Sequence, residues 1–372
     1  MTVPDHILHI DTGEGWGGGQ NQVRLLIEGL LDRNFRCSLI TPSASELSRR
    51  VDSRCRIISY SGNALHPVNI VRLARLLGKD GDVSLIDAHD GRGHTLAVLA
   101  KLIGRKQRDV KLTVHRRIPD APSGNLFTRF KYRGRTVDLF VAISNAIKDS
   151  LRRYGVSDNR LTTVYSCVDE RPYSGVSRDA ARAAVRGEFR VIGPLICAMA
   201  RLAPDKGHRV LIAAAKIVHE QTPDVTFVIA GIGSEEAHLR ELIQTHGMRD
   251  IVHLAGFRRD VPQLMLAADL FVHPSLEEGL GTIVLEAGLA GVPIVASAVG
   301  GIPEFVTNEV GGLLVPPGDP AQLAAAIQRT IRDRALAARL ASANHDSVTS
   351  RHHRNAMVDG NISVYRRLLQ RS

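Results

Sequence analysis

Residues 273–286 read His-Pro-Ser-Leu-Glu-Glu-Gly-Leu-Gly-Thr-Ile-Val-Leu-Glu, and they join a short apolar strand to an apolar helix. Glu278 and Glu286 are eight positions apart, with Gly279 and Gly281 between them. Eight steps along an α-helix turn through about 800°, or about 80° net, so both carboxylates are predicted on one side of the helix start. Helix N-terminal amides bind anions, and carboxylates accept hydrogen bonds from hydroxyls. The spacing therefore predicts a site for a polyol joined to a diphosphate.

On both sides of this stretch, short β-branched runs alternate with helical patterns, which is typical of βα units and parallel sheets. The predicted strands are His6–Thr12, Cys37–Pro42, Cys55–Tyr60, Val83–His89, Val110–His115, Leu139–Ser144, Leu161–Tyr165, Leu195–Ala200, Val225–Ala230, Ile251–Ala255, Leu270–His273, Ile294–Ala298 and Gly312–Val315. Pro172, Ser174 and Gly175 interrupt the periodicity between the two halves of the chain. We therefore predict an α/β fold of two domains.

The predicted domains are Rossmann-like and doubly wound, and they span 1–175 and 190–345. A C-terminal helix at about 351–372 can pack back on the first domain. In open α/β sheets, ligands bind at the carboxyl ends of the strands. Two such domains in sequence are expected to face an interdomain cleft at those ends.

The composition excludes several classes of protein. The chain has 372 residues, of which 44% are hydrophobic and 23% charged, as in ordinary globular proteins rather than disordered or fibrous ones. The four cysteines form no C-x-x-C pair, which excludes a zinc ribbon and favours a reducing compartment. Glycines and a proline break the apolar run 287–303, and the N-terminus shows no signal-peptide pattern. We expect a cytoplasmic protein.

A second glycine cluster follows the first strand. Gly13, Gly15 and Gly18 satisfy G-x-G-x-x-G, so a dinucleotide-binding fold has to be considered. That fold also requires an acidic residue at the end of the second strand, where this sequence has Thr41, so NAD is disfavoured. The cluster indicates instead that amides at a helix N-terminus approach an anion or a polar ligand.

The residues quoted first resemble the Glu-x7-Glu motif of the retaining glycosyltransferases of family 4, which have the GT-B fold. Residues 200–207 resemble the Arg-x4-Lys element of that family, 230–233 its second-strand glycine turn, and 255–257 its base-binding loop. The resemblance covers nearly the whole chain and is densest in 194–318. It is specific for the fold and the reaction class, and it carries little information about the sugar.

The resemblance implies a donor site for a nucleotide sugar in the second domain. Glu278 is expected to hold a hydroxyl of the donor sugar and Glu286 the ribose hydroxyls. Arg201 and Lys206 are suited to neutralise the diphosphate. The other residues expected to bind the donor act largely through their backbone, and they are Gly18, Gly19, Gly231, Gly233, Phe257, Gly279, Leu280 and Gly281.

The first domain is expected to bind the acceptor. His89 resembles the histidine that lies near the transferred sugar in this family, and with Glu278, Arg201 and Lys206 it completes the predicted catalytic set. A strand-end histidine can equally be structural, and the sequence leaves both interpretations open. Gln20 and Asp90 are the predicted acceptor residues, and Asp90 could instead orient His89.

Retention means that donor and product have the same anomeric hand, and the resemblance to this family implies that no enzymic nucleophile takes part. The acceptor hydroxyl is expected to attack from the front face, while the leaving diphosphate takes the proton and the protein supplies position and electrostatics. We expect neither a cofactor nor a metal. Asp80-Gly-Asp82 has the D-x-D form of a metal motif from a different glycosyltransferase fold, and we interpret it here as a loop.

The net charge of +10 is concentrated in residues 101–135. The eleven basic residues of this segment are Lys101, Arg105, Lys106, Arg108, Lys111, Arg116, Arg117, Arg129, Lys131, Arg133 and Arg135. They predict an approach to an anionic membrane leaflet or to a phosphorylated, lipid-linked acceptor, worth about 1 kcal/mol per residue near the surface. A solvated helical face is the simpler alternative.

These observations predict a cytoplasmic retaining glycosyltransferase. Peripheral attachment to the inner face of the cytoplasmic membrane is compatible with this prediction. Its acceptor would be a glycolipid or saccharide in cell-surface polysaccharide or lipopolysaccharide assembly. A GT-B epimerase or phosphorylase is the alternative within enzymes. The basic charge suggests a nucleic-acid-binding protein as the alternative from another class. The basic segment carries few aromatic residues and no recognised binding module, so we expect no nucleic-acid partner.

Overall fold

A computed structural model describes residues 5–79, 82–104, 110–119 and 126–370. Within these ranges the strands are β1 His6–Ile10, β2 Arg36–Pro42, β3 Arg56–Tyr60, β4 Val83–Ala88, β5 Lys111–Arg116, β6 Leu139–Ala142, β7 Leu161–Thr163, β8 Leu195–Met199, β9 Thr226–Ala230, β10 Val252–Gly256, β11 Leu270–His273, β12 Ile294–Ser297 and β13 Leu313–Val315. The helices are α1 Gly18–Leu31, α2 Glu46–Arg50, α3 Pro67–Lys79, α4 Gly91–Ile103, α5 Leu126–Arg133, α6 Asn145–Arg153, α7 Arg178–Glu188, α8 His208–Gln221, α9 Glu236–Thr245, α10 Val261–Ala267, α11 Thr282–Leu289, α12 Pro320–Arg332, α13 Arg334–Arg351 and α14 Arg354–Leu369.

The first compact unit contains the described residues up to Cys167 together with those from Arg354 onward. Its parallel sheet has the order β3-β2-β1-β4-β5-β6-β7. Strand β1 pairs with β2 on one side and with β4 on the other, so the direction of winding reverses there. Every residue of β1 is buried, as expected for a strand with helices on both faces of its sheet. Residues that follow β1 and β4 therefore meet at a topological switch point.

The second unit spans Val168–His353. Its parallel sheet has the order β10-β9-β8-β11-β12-β13, with the reversal at β8. Buried residues of the strands and of α8 and α12 form its apolar core. The loops that follow β8 and β11 lie side by side, because these two strands are neighbours in the sheet.

The structure confirms the predicted α/β class with two doubly wound sheets. It places the division of the chain between Cys167 and Val168, whereas the sequence put the end of the first domain at 175. The region with interrupted periodicity also contains a helix that the sequence analysis did not predict. Helix α7 packs against α10 of the second unit, and Arg182 of α7 pairs with Asp269 at 2.8 Å. Tertiary packing therefore assigns this segment to the second unit.

The C-terminal helix α14 belongs to the first unit, where it packs on α1. Gly29 of α1 makes this approach possible, because a Cβ at that position would overlap the side chain of Val358. Farther along α14, the buried Tyr365 hydroxyl donates to Asp87 at 2.5 Å. Both contacts join the end of the chain to its first elements.

Among the described residues, no helix combines the length and the apolar character that crossing a bilayer requires.

Gly29→Ala and Gly187→Ala place the same methyl group in two helices of different surroundings. Nothing lies within 4 Å of a Cβ at Gly187, so alanine there should stabilise α7 by about 0.5–1 kcal/mol through its helix propensity. At Gly29 the overlap with Val358 should reverse the sign and cost about 1–3 kcal/mol. Urea unfolding of the two variants measures both free energies. A Gly29→Ala protein as stable as Gly187→Ala would contradict the close packing of α14 on α1.

Candidate functional site

Glu278 lies in the loop between β11 and α11, and one oxygen of its carboxylate has three partners. Lys206 Nζ donates to Oε1 at 2.7 Å, His273 Nε2 lies 2.9 Å from it, and the Ser275 hydroxyl donates at 3.3 Å. Burial alone would raise the pKa of Glu278, but the hydrogen bonds and charges of His273 and Lys206 outweigh burial and lower it to about 2. The carboxylate is therefore charged at neutral pH and held in one place.

The backbone beside Lys206 explains how the lysine reaches this carboxylate. Lys206 ends a 3-10 turn after β8, and Gly207 follows it with a φ of +66°. A Cβ at Gly207 would overlap the carbonyl oxygen of Pro274, in the loop after β11. Glycine thus permits both the left-handed conformation and the close approach of the two loops.

Arg201 precedes Lys206 on the same loop, and its side chain is much more exposed to solvent. Its side chain is 69% exposed, and its guanidinium lies 3.7 Å from the Asp205 carboxylate. The lysine is thus fixed on Glu278, whereas the arginine stays accessible to a ligand.

Gly231 and Gly233 bring the loop after β9 against the loop that carries Arg201. A Cβ at either glycine would overlap a backbone carbonyl, that of Ala200 or that of Leu202. The Leu202 amide also donates to the Ile232 carbonyl at 2.9 Å. These glycines therefore have a packing reason, independent of any nucleotide.

The start of α11 presents backbone rather than side chains. Gly281 is the N-cap residue, with a φ of 86° and no side chain to cap the first amides. Leu280 is 1% exposed, so its side chain packs inside the protein and offers no surface to a ligand. The Gly279 carbonyl accepts from the Gly301 amide at 3.1 Å, which fixes the loop. Phe257, after β10, is 57% exposed, and its ring is available for a stacking contact.

Glu286 has a different environment from Glu278, although both belong to one sequence motif. Its Oε2 accepts a hydrogen bond from the Tyr173 hydroxyl at 3.1 Å. Burial raises its pKa to about 7, and the nearby Asp169 carboxylate acts in the same direction. At neutral pH one carboxylate of the pair is therefore charged, and the other titrates near that pH.

In the first unit, the predicted acceptor residue Gln20 lies in the first turn of α1, and Asp90 follows β4. Gly18 and Gly19 open α1, whose N-cap Gly17 has no side chain. The Gln20 amide donates to Asp11 at 3.4 Å, and the Gly13 amide donates to the same oxygen at 3.0 Å. Asp11 was not predicted from the sequence, although its position directly after a buried strand is a usable signal.

Asp90 caps helix α4. It accepts from the amides of Arg92 and Gly93, both at 2.8 Å, and from the amide and hydroxyl of Thr12. The carboxylate therefore ties the end of β1 to the start of α4. It does not orient the His89 ring, and a contact with an acceptor stays a prediction.

His89 is 4% exposed, and both of its ring nitrogens have partners in the protein. Arg117 donates to the His89 carbonyl at 2.9 Å, and its second amino group lies 3.3 Å from His89 Nδ1. Because a guanidinium only donates, Nδ1 has to accept, so the ring proton is on Nε2. His89 Nε2 in turn lies 3.0 Å from His9 Nδ1. The sugar contact predicted for His89 requires one of these partners to be exchanged.

His9, Asp87 and His89 bring three potential metal ligands within 4.8 Å of one another. A neutral imidazole that binds a metal through Nε2 carries its proton on Nδ1. At His89 that proton would point at the Arg117 donor 3.3 Å away. Asp87 also accepts from the hydroxyls of Thr113 and Tyr365, at 2.6 and 2.5 Å. Hydrogen bonds account for this cluster better than a metal does.

Of the D-x-D sequence, Asp82 lies within the described residues and Asp80 outside them. Asp82 pairs with Arg36 at 2.8 Å and lies 3.3 Å from His6. These contacts agree with its interpretation as a loop residue.

The basic segment does not form one continuous exposed stripe. Lys101 is bonded to Asp138 at 3.3 Å, Lys131 to the Thr95 hydroxyl at 3.0 Å, and Arg116 is buried. Arg105, Lys106 and Arg108 lie outside the described residues. The sequence gives the number of basic residues, but it does not show which of their side chains are buried or bonded within the protein. The residues of the segment that the structure places on the surface are Arg129, Arg133 and Arg135.

Two family models match the chain, one in each half. Residues 16–171 match Glycosyltransferase Family 4, and residues 187–346 match Glycosyl transferases group 1. The D-inositol 3-phosphate glycosyltransferase of Salinispora tropica is 34% identical over 229 residues, which are 58% of this chain and 46% of that protein. The lipopolysaccharide core biosynthesis glycosyltransferase LpsE of Rhizobium meliloti is 29% identical over 192 residues, which are 52% of this chain and 55% of that one.

The chain thus spans about half the length of these curated relatives. Among solved structures, Anabaena HepE in complex with UDP and glucose superposes with a TM-score of 0.83 at 23% identity. The match covers 97% of this chain and 99% of that one, and it shows a common fold.

Lys206→Met should destabilise the second unit by about 3–5 kcal/mol at pH 7, because it leaves the Glu278 charge with one strong partner fewer in a buried setting. The lowered pKa of Glu278 means that the pair stabilises the protein above pH 4.5 and that this contribution disappears as the pH falls towards 2. The difference between variant and wild type should therefore shrink on acidification.

Arg209→Met is the matched control, since it breaks the surface pair of Arg209 with Glu235. Urea unfolding at pH 7 and at pH 4 measures both variants. Equal losses for the two variants would contradict a structural role for the buried pair.

Proposed function

Because the chain belongs to glycosyltransferase family 4, we propose that it transfers a sugar, with retention, from a nucleotide diphosphate to a glycolipid or saccharide acceptor. The observation that carries this proposal is the Glu278 carboxylate, held by Lys206 and His273 beside the start of α11. It combines a hydroxyl acceptor, a cation and helix amides within one loop cluster. A nucleotide sugar has matching groups, namely hydroxyls on the sugar and negative charge on the diphosphate.

Glu278 is assigned to a hydroxyl of the donor sugar. Its lowered pKa keeps it charged, and a hydrogen bond to a charged group contributes about 1.5–3 kcal/mol. Because Lys206 and His273 fix Oε1, the carboxylate needs little reorganisation when the sugar arrives. Arg201, with its exposed guanidinium, is assigned to direct contact with the diphosphate, and Lys206, bonded to Glu278, is assigned to contribute its positive charge beside it.

The transfer step makes one bond and breaks one. The acceptor oxygen bonds to the anomeric carbon as the bond from that carbon to the diphosphate breaks. The bonding electron pair stays on the leaving diphosphate oxygen, which also takes the proton of the acceptor hydroxyl. Lys206 and Arg201 stabilise the charge that grows on the diphosphate. These two cations take the role that a metal ion has in other transferases, and we propose no metal ion for this site.

The acceptor side is assigned to the first unit, with Gln20 of α1 and Asp90 at the start of α4, while Gly18 and Gly19 stay assigned to the donor. The Rhizobium meliloti relative is named for lipopolysaccharide core biosynthesis. By analogy, we place this chain in the assembly of a cell-surface polysaccharide or lipopolysaccharide, in the cytoplasm.

Glu278→Gln should lower turnover by about ten- to a hundredfold, because an amide accepts a sugar hydroxyl more weakly than a carboxylate does. Donors are first identified by thermal shift with UDP-, GDP- and ADP-sugars, since a ligand that binds the native state raises its stability. Release of nucleoside diphosphate then measures turnover.

The neighbouring Glu277 provides the control for this variant. Its side chain is exposed, so Glu277→Gln should retain wild-type turnover. Full activity in Glu278→Gln would remove this carboxylate from the mechanism. The absence of a shift with any of the nucleotide sugars would count against the proposed activity as a whole.

Helix α5 is the surface that we assign to an anionic membrane. Leu126, Phe127 and Phe130 are 83%, 40% and 43% exposed, and their spacing places them along one side of the helix. Arg129 is exposed beside them, whereas Tyr132 is buried on the other side. Apolar side chains flanked by exposed arginines suit the boundary between acyl chains and anionic headgroups.

Phe127→Ser with Phe130→Ser should reduce binding to vesicles of 30% phosphatidylglycerol at least about tenfold, because two aromatic side chains no longer enter the interface. Arg129→Glu should also weaken binding, and its effect should fade in high salt. Ile192→Ser is the control, since Ile192 is 85% exposed in the second unit. Co-sedimentation measures all of them. Equal binding by the phenylalanine variants and the control would refute this surface.

A further inference from the structure

Tyr173 and Glu286 form a contact that the sequence analysis did not foresee. The two residues are 113 positions apart, and both belong to the second unit. The Tyr173 hydroxyl donates to Glu286 Oε2 at 3.1 Å. Tyr173 lies in the segment before α7, and Glu286 lies on α11.

The backbone around Tyr173 fixes the hydroxyl in place. Tyr173 ends the 3-10 turn Arg171–Tyr173, and its amide donates to the Glu170 carbonyl at 3.0 Å. At the start of the turn, Arg171 pairs with Asp169 at 2.8 Å. The tyrosine is thus presented to Glu286 by an ordered turn.

The groups around Glu286 do little to favour its charged form. The Asp169 carboxylate opposes it, and burial opposes it more strongly. On α13, His345 contacts the carbonyl of Leu289 at 2.9 Å, and Arg178 of α7 donates to the carbonyl of Ala290. In the described part of the chain, no cation forms an ion pair with Glu286. The Tyr173 hydroxyl is therefore the contact that favours the carboxylate.

We propose that Tyr173 is a positioning residue of the nucleotide site, whose hydroxyl favours the charged form of Glu286 and orients its carboxylate to accept hydrogen bonds from the ribose hydroxyls. This inference rests on the proposed function, which assigns Glu286 to the ribose. Tyr173 uses one lone pair of Oε2, and a carboxylate offers about four such positions. The contact therefore orients the group and leaves capacity for a ribose.

The titration of Glu286 gives this role a distinct signature. Its pKa is raised to about 7, so the group is protonated below that pH and then accepts hydrogen bonds less well. Nucleotide affinity should thus fall as the pH drops through about 7. Loss of the Tyr173 hydroxyl raises the pKa of Glu286 further, because the hydrogen bond favours the charged form. In the variant, the loss of affinity should begin at a higher pH.

Calorimetric titration of the full chain with UDP, GDP and ADP between pH 6 and pH 9 tests the proposal. For the diphosphate that binds best, Tyr173→Phe should raise the Kd about tenfold at pH 7 and about twofold or less at pH 9. Glu286→Gln should bind the diphosphate weakly, and its affinity should change little over this pH range. This variant therefore distinguishes the titration of Glu286 from that of the histidines and of the phosphate. Tyr154→Phe removes a tyrosine hydroxyl from the first unit and should match the wild type.

A Tyr173→Phe protein with the wild-type pH profile would overturn the positioning role. Tighter binding by Tyr173→Phe at every pH would also overturn it, because the tyrosine would then compete with the ribose for Glu286. A uniform loss of affinity across the pH range would reduce Tyr173 to a packing role and reject the proposal. If the wild type bound none of the three diphosphates, the proposed function would fail, and this inference with it.

Discussion

The ion pair between Lys206 and Glu278 is the constraint on which the second unit's site depends. Its two residues come from loops after β8 and β11, which are neighbours in the sheet. A parallel sheet brings such loops together at one edge, but it does not decide how close they come. The left-handed Gly207 settles the distance, because any side chain there would meet the Pro274 carbonyl. The glycine pattern of this region is therefore a condition for the ion pair.

One sequence motif supplies two carboxylates with opposite properties. Lys206 and His273 lower the pKa of Glu278 to about 2, whereas Glu286 has a tyrosine hydroxyl as its partner and a pKa near 7. The difference follows from the neighbours, since both groups are largely buried. When their surroundings give two carboxylates different pKa values, the two groups are suited to different roles. Under the proposed function, Glu278, which is charged at neutral pH, is assigned to the sugar, and the titration of Glu286 near neutral pH is expected to make nucleotide affinity depend on pH.

The sequence predicted the features that depend on period and strand order. Runs of β-branched residues indicate buried strands. Residues that follow parallel strands, such as Lys206 and Glu278, lie at the same edge of the sheet. Tyr173 escaped prediction because its contact with Glu286 spans 113 positions and depends on a turn within a segment without periodicity. The number of exposed charges in the basic segment was overestimated for a related reason. Lys101 and Lys131 have the charge of surface residues, yet their positions in the fold direct them to internal partners.

The first unit repeats the geometry of the second with a different outcome. Residues at the ends of β1 and β4 again meet at a switch point, but His89 is closed in by His9, Arg117 and the Asp87 carboxylate. Tyr365 of α14 completes that enclosure, so the last helix of the chain stabilises the centre of the first sheet. Under the proposed function, we assign specificity for the acceptor to the groups that border this cluster, such as Asp11 and Gln20. Loops that differ in such bordering residues would let one buried framework serve different acceptors.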